Sequence, residues 1–273
     1  MQYLLSLILI SILLLCGRRF RVAFVLGVCV AVNLTFVLPY YIGAGGGAPA
    51  NAPVLRAVSM NVNTENKRYD LVKQYVLARN PDILLLLEVD EAWLQAIADI
   101  EGLYPYKTSQ PRSDNFGIAL FSKRPCSKCE IIYLGEAGVP SVVGEFEVTG
   151  KRLTLLGTHP LPPGDGEYSR LRNRQFDAIA HYMAEVAGPR ILLGDLNATP
   201  WSYKFGELVR QASLSDSARG FGLQFTWPTG SFLFRVPIDH GLVSSDIRVV
   251  HREVGGDVGS DHFPILIDFA LIE

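Results

Sequence analysis

The sequence predicts an α/β protein in which two β-sheets pack face to face with helices on their outer sides. Three observations lead there. From residue 54 onward, short apolar runs of strand length alternate with stretches whose apolar residues recur at helical spacing. This alternation falls into two halves, each a strand-rich unit with helices of its own, so each half can supply one covered sheet. Residues suited to chemistry stand just past the ends of several apolar runs, the edge at which open α/β folds place their sites. A length of 273 residues accommodates one large domain.

Before residue 54 the chain is of another kind. Residues 1–16 carry no charged side chain, Arg18, Arg19 and Arg21 come next, and residues 22–55 are again uncharged. The first apolar segment, residues 3–15, is short for a membrane span. The second, residues 22–42, reaches the roughly 20 residues that a helix needs to cross a hydrocarbon core. The arginines between them would stay cytoplasmic under the positive-inside rule. Residues 1–42 are therefore expected to form a transmembrane helical hairpin in the cell membrane, leaving the rest of the chain outside the cytoplasm. A cleaved export signal ending at Ala48-Pro49-Ala50 is the competing reading. It leaves the first apolar segment without a role, so the anchor is preferred. Residues 43–53, rich in Gly, Ala and Pro, read as a linker, and residues 54–273 as the domain that carries the chemistry.

The apolar N-terminus accounts for a hydrophobic content of 49% and a mean hydropathy of +0.22. Without its three arginines, 22 of the 25 basic residues face 27 acidic ones, a net charge of −5. That balance argues against a general polyanion-binding surface, so nucleic acid could be held only in a local basic groove. Cys16 and Cys29 fall in the apolar segments and serve as small hydrophobes. Cys126 and Cys129 have no second pair with which to build a four-thiolate zinc site. They read as structural or incidental, with a disulfide available in an oxidising compartment.

The elements run in this order. Residues 54–62 make the first strand. Residues 67–79 make a helix with Tyr69, Val72 and Val76 on one face, ended by Asn80-Pro81. Residues 82–87 are a buried strand, followed by a helix over 91–100. The middle is richer in β-structure, with strands at 116–122, 130–134, 141–148 and 152–158. A long helix over 169–187 carries Phe176, Ile179, Met183 and Val186 on one stripe, and Gly188-Pro189 stops it. Strands at 190–193, 237–243, 246–251 and 263–270 complete the pattern.

Five polar clusters stand at the ends of these strands: Asn61 with Asn63; Glu88; His159; Asp195 with Asn197; and Asp239-His240 together with Ser260-Asp261-His262. Each alone reads blandly: Asp195 with Asn197 as a turn, since Asp and Asn favour turns, Glu88 as a solvated loop residue, and His159 before Pro160 as a turn residue. Five at one edge read as a site. Oxygen ligands without cysteine suit a hard cation, Mg²⁺ or Mn²⁺, with Glu88, Asp261 and Asn61 as its candidates. Such a metal polarises a phosphoryl oxygen. His159, His262 and Asn197 can donate to the other phosphoryl oxygens. Asp195 is then free to orient and deprotonate water, and Asp239 can fix one imidazole in its charged form. No Gly-x-Ser-x-Gly elbow is present to support a serine nucleophile. Arg172, on the inward side of the long helix, reads either as a structural arginine paired with a carboxylate or as a phosphate contact. Asp114 and Asn115 are balanced in the same way. Trp201, Phe225 and Trp227 read first as core packing and second as walls of the site.

The ordered set Asn61, Glu88, His159, Asp195-Leu196-Asn197, Asp239-His240 and Ser260-Asp261-His262 resembles the endonuclease/exonuclease/phosphatase superfamily, over roughly residues 54–271. The resemblance implies a four-layer α/β sandwich. It implies Asn61, Glu88 and Asp261 as metal-associated, Asp195 as base, Asn197 and His159 as phosphate contacts, and Asp239 with His262 as an acid–imidazole pair. Where many nucleases of the superfamily carry Asp two residues after the first Asn, this chain has Asn63. The segments Asp114-Asn115-Phe116-Gly117, residues 157–163 and residues 257–262 are similar to a membrane-anchored bacterial branch that includes the teicoplanin-resistance lipid-pyrophosphate phosphatase. The expected activity is hydrolysis of a phosphate or pyrophosphate group, presented on a lipid carrier at the membrane. An exported Mg²⁺-dependent nuclease or other phosphodiesterase is the alternative.

Overall fold

The computed structural model describes residues 2–17, 19–43, 47 and 52–272. Two compact units result: residues 1–44 with 219–223, and residues 45–218 with 224–273. In the first unit, α1 (Gln2–Cys16) and α2 (Phe20–Val37) are apolar helices, and α2 continues into a 3-10 turn, Leu38–Tyr40. Among the described residues one helix, Phe20–Tyr40, is long and apolar enough to cross a membrane, with 21 residues at mean hydropathy 2.3. At 1.5 Å per residue α1 reaches roughly 22 Å, short of a hydrocarbon core of about 30 Å. The expected hairpin is thus two helices with one candidate span. Arg18, the tripeptide Ala48-Pro49-Ala50 and most of the expected linker lie outside the described residues.

The second unit opens with β1 (Leu55–Asn61), α3 (Tyr69–Arg79) and β2 (Ile83–Leu87). β1 and β2 run parallel, with α3 as their crossover. Leu84 and Leu86 pack towards Val72 and Val76 of α3, while Ile83, Leu85 and Leu87 face the other sheet. A strand covered on both faces needs this unbroken apolar run. Next come α4 (Glu91–Ala96), capped by the Asp90 carboxylate, then β3 (Tyr106–Gln110) and β4 (Ile118–Ser122). β5 (Cys126–Tyr133), β6 (Pro140–Val148) and β7 (Lys151–Thr158) form a meander, and Cys126 and Cys129 are joined by a disulfide. α5 (Gly166–Glu185) then crosses over to β8 (Arg190–Asp195), which runs parallel to β7. α6 (Tyr203–Gln211), β9 (Ser215–Asp216), β10 (Asp239–Val243), β11 (Ile247–Val254) and β12 (Ile265–Leu271) complete the unit.

Among the described residues the strands form two six-stranded sheets, β11-β12-β1-β2-β4-β3 and β5-β6-β7-β8-β10-β9. Their facing sides share one apolar core, including Leu85, Leu120, Phe146, Leu155, Leu193 and Ile267. A second cluster joins the first sheet to α3 and α4, and a third joins the second sheet to α5 and α6. The layers are helix, sheet, sheet, helix, as the sequence predicted. α5 starts three residues before its predicted start, because the Asp165 carboxylate accepts from the Glu167 and Tyr168 amides. It ends at Glu185 with Val186 extended, so Val186 leaves the predicted stripe.

Gly194 shows how tightly the second parallel pair closes at its end. Its φ is +147°, and a Cβ there would collide with the Thr158 carbonyl oxygen. Only glycine combines that conformation with that approach. Gly194→Ala is expected to destabilise the chain by about 3 kcal/mol, measured by urea unfolding. Unchanged stability would contradict the close approach.

Candidate active site

The two parallel pairs decide where the chemistry sits, because parallel strands end at a common edge. β1 ends at Asn61 alongside Leu87 of β2, and Glu88 is the next residue. β7 ends at Thr158 with His159 next, and β8 ends at Asp195. The antiparallel strands bring their beginnings to the same edge. Asp239 opens β10 directly opposite Asp195. Residues 260–262 lead into β12, which runs antiparallel to β1. The Ser260 hydroxyl donates to the Asn61 carbonyl at 2.7 Å and accepts from the His262 amide at 3.1 Å, which fixes that segment on the end of β1.

Asp195 is the centre of the cluster and is buried. Its Oδ2 lies 3.5 Å from His159 Nε2, 3.6 Å from His262 Nε2 and 3.2 Å from Asn61 Nδ2. Its Oδ1 accepts the Asn197 backbone N–H at 2.9 Å. The Asp-x-Asn stretch is therefore an Asx turn and a site motif at once. Asn61 also donates to Glu88 Oε1 at 2.7 Å. Asn197 Nδ2 donates to the Pro160 carbonyl at 3.0 Å and lies 3.2 Å from His159 Nε2. His262 Nδ1 meets Asp239 Oδ2 at 2.9 Å. Asn63 Nδ2 and Trp227 Nε1 donate to the two Asp261 carboxylate oxygens at 2.8 and 3.0 Å. An amide at position 63 thus steers Asp261 without adding a charge.

Burial raises the Glu88 carboxyl above the usual carboxylate range, and His159 and the Asn61 hydrogen bond only partly oppose it. Asp195 is raised for the same reason, against the pull of His262 and His159. Asp239 goes the other way: burial would raise it, but the His262 charge and hydrogen bond hold it low. Burial alone would lower the His262 imidazolium. Asp239 and Asp195, followed by the Asp239 hydrogen bond, overcome that and lift it to about 10. Asp195, Asp239 and His262 lie close enough to hold a metal ion between them. A protonated His262 has no lone pair to offer a metal, however. Glu88, Asn61 and Asp261 carry the oxygen donors that a hard divalent cation takes, and burial of the partly exposed Glu88 carboxyl favours a positive neighbour.

Backbone strain gathers here as well. Glu88 (φ 60°), Asn63 (59°), Asn115 (67°) and Asn197 (49°) all occupy the left-handed region. Asn tolerates it, whereas Glu88 stores roughly 1–3 kcal/mol held by its surroundings. Each of these residues faces the cleft or hydrogen-bonds a neighbour that does.

The cleft has a volume of about 760 Å³, and Glu88, His159, Asp195, Asn197, Asp261 and His262 all line it. Its walls come from Phe116, Pro162, Tyr168, Trp227, Val236 and Ile238. Trp227 is thus a wall residue and a donor to Asp261, a correction to its first reading as core packing. Only its indole N–H could have suggested this beforehand. Asp114, Asn115 and Arg172 also line the cleft. Asp114 is committed to Arg112, whose hydrogen bonds and charge hold its carboxyl low. Arg172 has no carboxylate partner among the described residues. Its Nη2 donates to Asn173 Oδ1 at 3.2 Å, its Nε is buried without a partner, and burial lowers its pKa. His240, next to Asp239 on β10, projects to the opposite face, as strand periodicity requires. Its ring meets the Ala198 carbonyl at 2.9 Å and Asp216 at 3.7 Å, so His240, counted with Asp239 in the fifth cluster, belongs to a buried structural pair and does not line the cleft.

No curated protein sequence matches the chain. Solved structures do. An endonuclease/exonuclease/phosphatase family protein from Bacteroides thetaiotaomicron superposes with a TM-score of 0.69 at 19% identity, covering 82% of this chain and 100% of that one. TDP2 from D. rerio, complexed with a single-strand DNA product, gives 0.68 at 20% identity over 79% and 98% of the two chains. Beta toxin from Staphylococcus aureus gives 0.57 at 20% identity over 78% and 99%. At these identities the likeness concerns the fold. Residues 58–262, however, match the Endonuclease/Exonuclease/phosphatase family directly, a stretch that spans all five polar clusters. The chain belongs to the Endonuclease/Exonuclease/phosphatase family of hydrolases.

Proposed function

We propose that the protein is a Mg²⁺- or Mn²⁺-dependent phosphohydrolase, tethered to the cell membrane with its catalytic domain outside the cytoplasm. Its substrates are phosphate or pyrophosphate groups on lipid carriers. The observation that carries the chemistry is the buried Asp195 carboxylate, set between two imidazoles at 3.5 and 3.6 Å. Asp195 takes a proton from the attacking water, and its raised proton affinity suits a base that must hold that proton during the attack. His262, kept charged by Asp239, donates to a phosphoryl oxygen as negative charge builds there. Asn197 Nδ2 and His159 hold the remaining oxygens, and Arg172 offers a guanidinium that has no carboxylate partner among the described residues to a further phosphate. Glu88, Asn61 and Asp261 would hold the cation, which when bound polarises a phosphoryl oxygen and stabilises the leaving oxygen.

The membrane part of the reading is supported by the helix Phe20–Tyr40 and by Arg19 and Arg21 at its start. The net acidity of the remaining chain supports a small phosphorylated headgroup over a polyanion. The test uses the full chain reconstituted in vesicles with Mg²⁺, offered polyprenyl diphosphate, nucleotides and duplex DNA in parallel. Phosphate release from the lipid is expected, EDTA should reduce it to background, and added Mg²⁺ should restore it. Efficient DNA cleavage with the lipid diphosphate untouched would sink the substrate assignment and favour the nuclease alternative.

A further inference from the structure

The segment between Trp227 and Val236 is apolar at its tip and exposed. It reads Pro-Thr-Gly-Ser-Phe-Leu-Phe-Arg, with one cation and no acid. At its tip Phe232, Leu233 and Phe234 are 84%, 64% and 74% exposed. Three consecutive large apolar side chains in water are costly and mark an interaction site.

The loop is built to hold them out. Trp227 and Val236 pair across its neck by backbone hydrogen bonds. Thr229 donates from its amide to the Asp261 carbonyl and from its hydroxyl to the Ser260 carbonyl, each at 2.9 Å. Arg235 reaches back to the Pro228 and Thr229 carbonyls at 3.3 and 3.1 Å, with its guanidinium 4.6 Å above the Phe263 ring. The neck is thereby strapped to the segment that carries Asp261 and His262. Trp227 and Val236 line the active-site cleft, so the apolar tip projects from the rim of its mouth.

We infer that Phe232, Leu233 and Phe234 insert into a lipid bilayer surface and hold the mouth of the cleft against the headgroups. This rests on the membrane-tethered reading above. The occupant is argued from three features. The chain carries its own apolar helix of membrane-spanning length. The 12 residues from 43 to 54 span at most about 40 Å even when fully extended, which keeps the domain within reach of the surface that the helix enters. The loop pairs an apolar tip with a single arginine and no carboxylate, the composition that suits a headgroup–acyl boundary and tolerates anionic lipids. A tip of three residues is a weak binder by itself. Joined to the anchor, it acts at high effective concentration and serves orientation.

The test uses the full chain with Phe232→Trp, reconstituted in vesicles of phosphatidylcholine and phosphatidylglycerol with brominated acyl chains. The emission added by this substitution is expected to fall about two-fold relative to unbrominated vesicles, as insertion to acyl-chain depth requires. Leu77→Trp, on the exposed side of α3, should show no such fall. Absence of quenching at 232, or equal quenching at 77, overturns the inference. In parallel, serine at 232, 233 and 234 together is expected to slow hydrolysis of vesicle-embedded polyprenyl diphosphate about ten-fold, through lost orientation. Hydrolysis of soluble bis(p-nitrophenyl) phosphate should be unchanged. Equal loss on both substrates, or on neither, overturns the inference. So does a dimer in detergent that the triple variant dissociates, since the tip would then be covered by a second copy. If the wild type ignores lipid diphosphates, the substrate reading fails, and the quenching at 232 still decides the role of the loop.

Discussion

Asp195→Asn should lower kcat by about 10²–10⁴-fold, the range contributed by a positioned general base, with KM changed far less. The substitution keeps the shape and lets the new carbonyl accept the Asn197 amide, as Asp195 Oδ1 does now. What disappears is the proton acceptor. The new NH₂ faces Asn61 Nδ2 and the two imidazoles, all of which are positioned to donate to an oxygen. Because burial already disfavours charge at this position, loss of the carboxylate should not unfold the chain. Glu88, Asn61 and Asp261 are untouched, so Mg²⁺ should still raise Tm in the variant, by the stabilisation that any ligand of the folded state provides. Full activity in Asp195→Asn would remove Asp195 from the mechanism. Loss of the Mg²⁺ shift would instead place the metal on Asp195.

His262→Ala should be nearly as severe for activity, by about 10²–10³-fold, and should also cost stability. It strands Asp239, a buried carboxylate whose low proton affinity depends on the imidazolium at 2.9 Å. Removing one partner of a buried pair costs about 3–5 kcal/mol. The pH dependence has a definite sign. His262 binds its proton more tightly folded than unfolded, with a pKa of about 10 against an ordinary 6.5. Its contribution to stability is therefore complete below about pH 6.5 and is lost as pH rises through about 10. NMR titration of the His262 ring in EDTA-treated protein should show it still protonated at pH 8. Asp239→Asn should move that titration towards neutrality. A ring that is neutral at pH 8 in the wild type would contradict the pair.

How much of this was legible in the sequence depends on where each residue stands in the fold. Asn61, Glu88, His159 and Asp195 could be read because each stands at or within a few residues of the end of an apolar run, and strand ends are the one place where a linear pattern points to a shared edge. The buried strand at Leu84–Leu87 could be read because both its faces are covered. β3 could not: Tyr106-Lys-Thr-Ser-Gln has no alternation, is largely exposed and owes its strand form to the ladder with β4. α6 was missed for a related reason. It buries only Phe205 and Leu208 and contains Gly206, although Ser202, whose hydroxyl caps it at the Phe205 amide, was a usable signal. The cleft walls were out of reach, since Tyr168, Trp227 and Val236 come from three separate segments that only the folded chain brings together.

The pairing of β12 with β1 has a bearing on when the protein becomes competent. The last strand of the chain, Ile265–Leu271, zips against the first strand of the second unit, from Leu55 opposite Phe269 to Ser59 opposite Ile265. His262 arrives immediately ahead of it. Chain growth is vectorial, so some two hundred residues must emerge before the final imidazole can meet Asp195, and contacts so distant in sequence form late. A nascent chain that ends before residue 260 holds Asp195, Asn61, Asn197 and His159 but lacks His262. On the proposed mechanism the centre is complete only once β12 has closed against β1, so catalytic activity is expected to report completion of the whole fold.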